Sequence, residues 1–153
     1  MTGTPENRVA RAELIVDQRH VLDPALTGFL DQIATARRFV GRKCPSCGEV
    51  SVPPNPICER CYATTMEDVV VANEGVVRSL SVVYARFAGF PEPPYAIGMV
   101  QLDGADTAML NYLDGVDLSP SADLSGLVGK RCRAVFVDPP RADFGGFKFE
   151  LIA

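Results

Sequence analysis

The chain of 153 residues contains no tryptophan and one histidine, His20. It has no surplus of positive charge: fifteen Lys and Arg stand against nineteen Asp and Glu, for a net charge of −4. That balance opposes holding a polyanion across the whole surface, and the strand-like segments carry no regular basic–aromatic pattern, so nucleic acid is disfavoured as a partner. No apolar run approaches the roughly 20 residues that a membrane-crossing helix needs. The opening residues, Met-Thr-Gly-Thr-Pro-Glu-Asn-Arg, lack the charged-then-apolar pattern of a secretory signal. A reducing, cytoplasmic setting is the expectation. No G-x-S-x-G, phosphate-binding loop or dinucleotide fingerprint occurs. Asp103 and Asp106 fall in a turn, where acids serve the turn itself. His20, ahead of the first helix, reads as a surface or packing residue. The chain is poorly equipped for catalysis on its own.

Cysteines are few but organised. Cys44-Pro45-Ser46-Cys47-Gly48 and Cys58-Glu59-Arg60-Cys61 form two C-x-x-C pairs with ten residues between them. This is the spacing of a tetrahedral four-thiolate site, each sulfur about 2.3 Å from one ion. Gly48 tolerates the positive φ of such a knuckle, and Pro53, Pro54 and Pro56 stiffen the connection. In a reducing compartment these pairs are metal ligands more often than disulfides. Four thiolates leave no open position, which makes zinc in a structural role the expectation. Iron in the same four would give an electron carrier, and spacing does not separate the two metals. Arg42, Lys43 and Arg60 lie beside the ligands, either to offset the thiolate charge or to meet a phosphate or an acidic partner.

In chain order, 1–22 reads as an N-terminal arm, with Arg11–Leu22 as an extended segment. Asp23-Pro24 is a helix start, cap then first position. Leu26, Phe29, Leu30 and Ile33 follow at helical spacing and define one apolar face, destined for the chain's own core or for a partner. The helix and metal ribbon span 23–66. From 67 to 153 the pattern is all-β, with strands expected over 76–86, 95–102, 107–113, 131–137 and 147–152. Asp103-Gly104 reads as a tight hairpin turn. Cys132, Ala134 and Phe136 alternate toward the interior, where a thiol behaves as a small hydrophobe. Five or six short strands in about 85 residues suit a small closed barrel, of which the OB-fold is the commonest. The fold class is mainly β: N-terminal helix, metal ribbon, C-terminal OB-fold barrel.

Taken together, these features resemble the domain-of-unknown-function family thirty-five, OB-fold proteins with a rubredoxin-like zinc ribbon. The resemblance rests on Cys44–Gly48, Val52-Pro53-Pro54, Cys58–Cys61, Gly75-Val76-Val77, Pro94-Tyr95-Ala96-Ile97 and Val128-Gly129. Two positions depart from the family's pattern: Asn55 replaces an arginine after the double proline, and Glu59 replaces a proline after the third cysteine. The resemblance implies a non-catalytic accessory subunit of an acyl-CoA-processing complex, beside a thiolase-like, ketosynthase-like, hydratase or aldolase subunit. Alternatives are a nucleic-acid-binding zinc-ribbon protein or a rubredoxin-like electron carrier. On the acyl-CoA reading, Arg86 would meet phosphate, and Phe87, Phe90 and Tyr95 would stack on adenine or line an acyl path, unless they merely plug one barrel end. Leu26, Phe29, Leu30 and Ile33 would dock the partner.

Overall fold

The computed structural model describes residues 19–152. Most of the arm expected over 1–22, with its extended segment Arg11–Leu22 as far as residue 18, lies outside the described residues, and 19–23 carries no regular structure. Asp23 caps helix α1 (Pro24–Ala36), its Oδ1 accepting from the Ala25 and Leu26 amides at 2.8 and 3.1 Å. Those amides have no partner within the helix, and Pro24 has no amide to satisfy. Arg37, at φ 50°, turns the chain out of the helix.

A three-stranded antiparallel sheet follows, in the order β2 (Val50–Ser51), β1 (Phe39–Lys43), β3 (Glu67–Val71). β3 pairs with β1 from Phe39↔Val71 to Lys43↔Glu67, so the valine run 69–71 belongs to the ribbon's sheet. β4 (Glu74–Val83), β5 (Tyr95–Leu102), β6 (Met109–Asp114), β7 (Arg131–Phe136) and β8 (Phe147–Leu151) close a barrel in the order β4-β5-β6-β8-β7. β6 and β8 run parallel and the other pairs antiparallel. This is the five-stranded Greek-key barrel of the OB-fold. Along β5, Ala96, Val100 and Leu102 are buried with Gly98 between them, the period of two that a half-buried strand requires. Gly75 sits where β4 pairs with both β5 and β7; a Cβ there would collide with the Gln101 carbonyl and Leu102.

The expected hairpin at Asp103-Gly104 is a longer loop. Gly104 does turn at φ 90°, but Asp106 and Thr107 are diverted to the ribbon. Asp106 exchanges hydrogen bonds with Val50, Oδ2 accepting from the Val50 amide and the Asp106 amide donating to the Val50 carbonyl, both at 2.8 Å. Thr107 Oγ1 accepts from the Val52 amide at 2.7 Å and donates to the Val52 carbonyl at 2.9 Å. The loop serves as an extra edge for β2, which explains why it does not close as a two-residue turn.

Ribbon and barrel share one core. Phe39, Val50, Val52 and Val71 from the ribbon join Val77, Val100, Leu113, Phe147 and Phe149 from the barrel. Helix α1 covers the junction: Phe29 stacks on Phe39 at 5.9 Å and lies 6.2 Å from Phe144, and Phe39 meets Phe147 edge-on at 4.9 Å. The docking role expected for the helix face is therefore corrected. Phe29, Leu30 and Ile33 are buried in the chain's own core, and Leu26 is half-buried against it. Three short ribbon strands cannot enclose Phe39 without that helix.

Candidate functional site

The two cysteine knuckles match atom for atom. The Gly48 amide donates to the Cys44 carbonyl at 2.8 Å, and the Tyr62 amide donates to the Cys58 carbonyl at 2.9 Å. The Cys44 amide reaches the Glu49 carbonyl at 2.8 Å, as the Cys58 amide reaches that of Ala63 at 2.9 Å. Each turn needs a left-handed residue after its second cysteine. Gly48 supplies one at φ 82°, and Tyr62 the other at φ 60°. The sequence signalled the first through glycine and gave no signal for the second.

All four sulfurs of Cys44, Cys47, Cys58 and Cys61 lie within 4.8 Å of one another. Cys44 and Cys61 Sγ are 3.5 Å apart and Cys47 and Cys58 Sγ 3.6 Å apart. Those separations exceed a disulfide's roughly 2.05 Å. They are close to the edge of about 3.8 Å that a tetrahedron with ~2.3 Å metal–sulfur bonds requires. The donor set therefore fits a tetrahedral soft or borderline metal ion. Among the described residues it is the one group of three or more His, Cys, Asp or Glu side chains placed to share an ion. Burial alone would push the Cys44 thiol up. The Cys47 amide, the Cys61 thiol and the Ser46 amide outweigh it and hold the thiol down at about 7, toward the thiolate a metal needs. Arg42 turns away to β3, donating to the Met66 carbonyl at 2.9 Å and pairing with Asp68 at 3.4 Å, so it does not serve the thiolates as expected. Lys43 and Arg60 remain exposed. The two residues that depart from the family pattern bond to each other, Asn55 Nδ2 donating to Glu59 Oε1 at 3.0 Å.

The second feature is a groove of about 610 Å³ on the barrel, across β5 and β6 and between the loops 84–94 and 137–146. Phe90 and Tyr95 line it, as do Leu110, Tyr112, Arg141, Phe144 and Lys148. Tyr95 meets Tyr112 edge-on at 5.7 Å. Of the four residues singled out from sequence, the structure brings Phe90 and Tyr95 into this groove. Arg86 instead pairs with Glu92 at 2.7 Å, and Phe87 leans edge-on against Phe90 at 6.3 Å without lining the groove. Phe87 and Phe90 are more than half exposed and plug nothing; Phe29, Phe39 and Phe147 fill the core. Sequence reasoning missed Leu110 and Tyr112, which hairpin register could have placed opposite Met99 and Ile97. It also missed Arg141 and Phe144, for which a long loop gives no local signal.

Cys132 is fully buried, its thiol facing the Gly75 carbonyl at 3.8 Å, and burial pushes it up to about 11. It stays protonated at neutral pH and has no nucleophilic character. His20 is exposed. No helix among the described residues is long and apolar enough to cross a membrane.

Comparison with known proteins matches both parts. Residues 31–67 fit the family model described as the ChsH2 rubredoxin-like zinc ribbon domain, and 68–137 fit the ChsH2 C-terminal OB-fold domain. A protein of Methanocaldococcus jannaschii described as a DUF35 domain-containing scaffold protein is 32% identical over 67 residues, 42% of this chain and 48% of that one. The match thus spans about half the relative's length. Among solved structures, the Ltp2-ChsH2(DUF35) aldolase aligns with a TM-score of 0.61 at 22% identity, covering 87% of this chain and 97% of that one. A DUF35-family protein from Sulfolobus solfataricus aligns with a TM-score of 0.61 at 20% identity, covering 84% and 86%. Cysteine ribbon, five-stranded barrel and the two adjoining family matches over 31–137 agree, and the chain belongs to the DUF35 family.

Proposed function

We propose that this chain is a non-catalytic accessory subunit that scaffolds an enzyme acting on acyl-CoA thioesters. The observation that carries the reading is family membership, with one relative described as a scaffold protein and a chain of like fold found in an aldolase complex. The partner on this reading is a thiolase-like or ketosynthase-like subunit, or a hydratase or aldolase, and it supplies the catalytic groups. The protonated, buried Cys132 and the exposed His20 support leaving the chemistry to that partner.

The metal of the ribbon is zinc in this proposal. Cys44, Cys47, Cys58 and Cys61 would hold it, and a site filled by four thiolates gives the ion a structural role, without a position for substrate. Cytoplasmic reducing conditions keep such thiols available for the metal. The barrel groove contributes to acyl-CoA binding through Phe90 and Tyr95, with Arg86 and Phe87 on the adjoining loop. The test is recovery of the tagged chain from its native cells. An acyl-CoA enzyme subunit should co-purify in fixed stoichiometry and lose activity when the chain is withdrawn. Recovery of nucleic acid, or of no acyl-CoA enzyme, overturns the proposal.

A further inference from the structure

Independently of the acyl-CoA reading, we infer that hydroperoxides oxidise the four-cysteine site to two disulfides between the knuckles, Cys44–Cys61 and Cys47–Cys58. These bridges expel the ion and staple the tip in its place. Sequence spacing alone would pair the thiols within each C-x-x-C, as in dithiol oxidoreductases. The geometry selects the other pairing. The two knuckles repeat the same backbone hydrogen bonds, so Cys44 corresponds to Cys58 and Cys47 to Cys61. Under that correspondence the Cys44–Cys61 contact maps onto Cys58–Cys47, and the two Sγ separations agree, at 3.5 and 3.6 Å. Each contact joins the first cysteine of one knuckle to the second of the other. Each has to close by about 1.5 Å to reach the roughly 2.05 Å of a disulfide. In sequence the bridges are nested, Cys47–Cys58 inside Cys44–Cys61, so together they tie one knuckle to the other.

Exposure sets the roles within each pair. Cys61 is exposed and Cys47 half-buried, whereas Cys44 and Cys58 are only 0% and 2% exposed. A dissolved hydroperoxide therefore meets Cys61 first. The Cys61 thiolate attacks the peroxide: an S–O bond forms, the O–O bond breaks, and the leaving oxygen takes a proton from solvent. The Cys44 sulfur then attacks Cys61 Sγ, forming the S–S bond and breaking the S–O bond, with hydroxide leaving to be protonated to water. Two thiolates have then given two electrons to one hydroperoxide. Cys47 and Cys58 repeat the exchange with a second. A shielded partner 3.5 Å away captures the sulfenic acid before another oxidant can carry it to the irreversible sulfinic acid. No thiolate is left in the cluster to hold a metal, and a dithiol reverses both bonds. Cys132, in the barrel core, is no part of the cluster.

The experiment exposes the zinc-loaded 153-residue chain to hydrogen peroxide beside a chromophoric zinc chelator. Remaining thiols are then alkylated and the bridges mapped by tandem mass spectrometry. One ion should be released for every two peroxides consumed, with Cys44 linked to Cys61 and Cys47 to Cys58. At substoichiometric peroxide a sulfenic-acid trap should mark Cys61 ahead of the other three. The oxidised chain should keep hydrogen-exchange protection over 44–49 and 57–66 that chelation of the reduced chain removes. Bridges within each C-x-x-C, bridges between chains, or sulfinic acid at Cys61 without a bridge overturn the inference. So does an oxidised tip as loose as the chelated one. A chain that takes up no zinc but maps the same two bridges removes the zinc reading and leaves the cross-knuckle pairing standing.

Discussion

Tyr62 holds a backbone conformation that costs an L-residue about 1–2 kcal/mol, and its ring is largely exposed. The equivalent position of the first knuckle is Gly48. Tyr62→Gly should therefore stabilise the second knuckle by about 1 kcal/mol, measured as slower transfer of the bound metal to a competing chelator. Faster transfer would mean that the exposed ring makes contacts worth more than the strain. At this scale the sequence was partly legible. Cysteine spacing picked out the four side chains whose sulfurs converge, because a shared chelate fixes that spacing, whereas a tyrosine in a left-handed turn leaves no mark in the sequence. The Asn55–Glu59 hydrogen bond has no signal in the sequence either, although both residues depart from the family pattern.

Among elements, the ribbon divides into a tip and a base with different supports. The tip packs as a small cluster of Cys44, Cys58 and Met66, with Cys47 and Ala63 against it, separate from the main core. The base is held by that core and by the Asp106 and Thr107 hydrogen bonds to β2. Metal removal should accordingly loosen 44–49 and 57–66 and leave β1, β2 and the barrel protected. Hydrogen exchange before and after chelation checks this, and the released metal, counted by elemental analysis, should be one zinc per chain. Global loss of protection would show that the metal supports the base as well. Alternation made β5 and β7 readable, and cap chemistry made α1 readable. The partner of β3 was not readable, since a valine run close to the barrel strands carries no label for the sheet it joins.

At the scale of the whole molecule, one core implies one unfolding unit. Phe39 belongs to the ribbon but contacts Phe29 of the helix and Phe136 and Phe147 of the barrel. Phe39→Ala should cost about 3–5 kcal/mol and lower the denaturation midpoint of β5 and β8 together with that of β1. Exchange protection read strand by strand in denaturant is the measurement; a barrel midpoint that stayed put would mean two independent units. The barrel was legible from sequence as a set of strands. Its dependence on the helix was not, because an apolar helix face looks the same whether it meets its own chain or another.

The bonds from Asp106 and Thr107 to β2, and the pairing of β1 with β3, have a consequence for where such a chain can be divided. The two family matches meet between residues 67 and 68, yet a cut there parts β1 from almost all of β3 and strips β2 of its neighbouring loop. Each fragment would carry a bare strand edge, an invitation to aggregate. A split at that point would leave a ribbon short of its third strand and a barrel with an open flank, so neither half should stay in solution as the intact chain does.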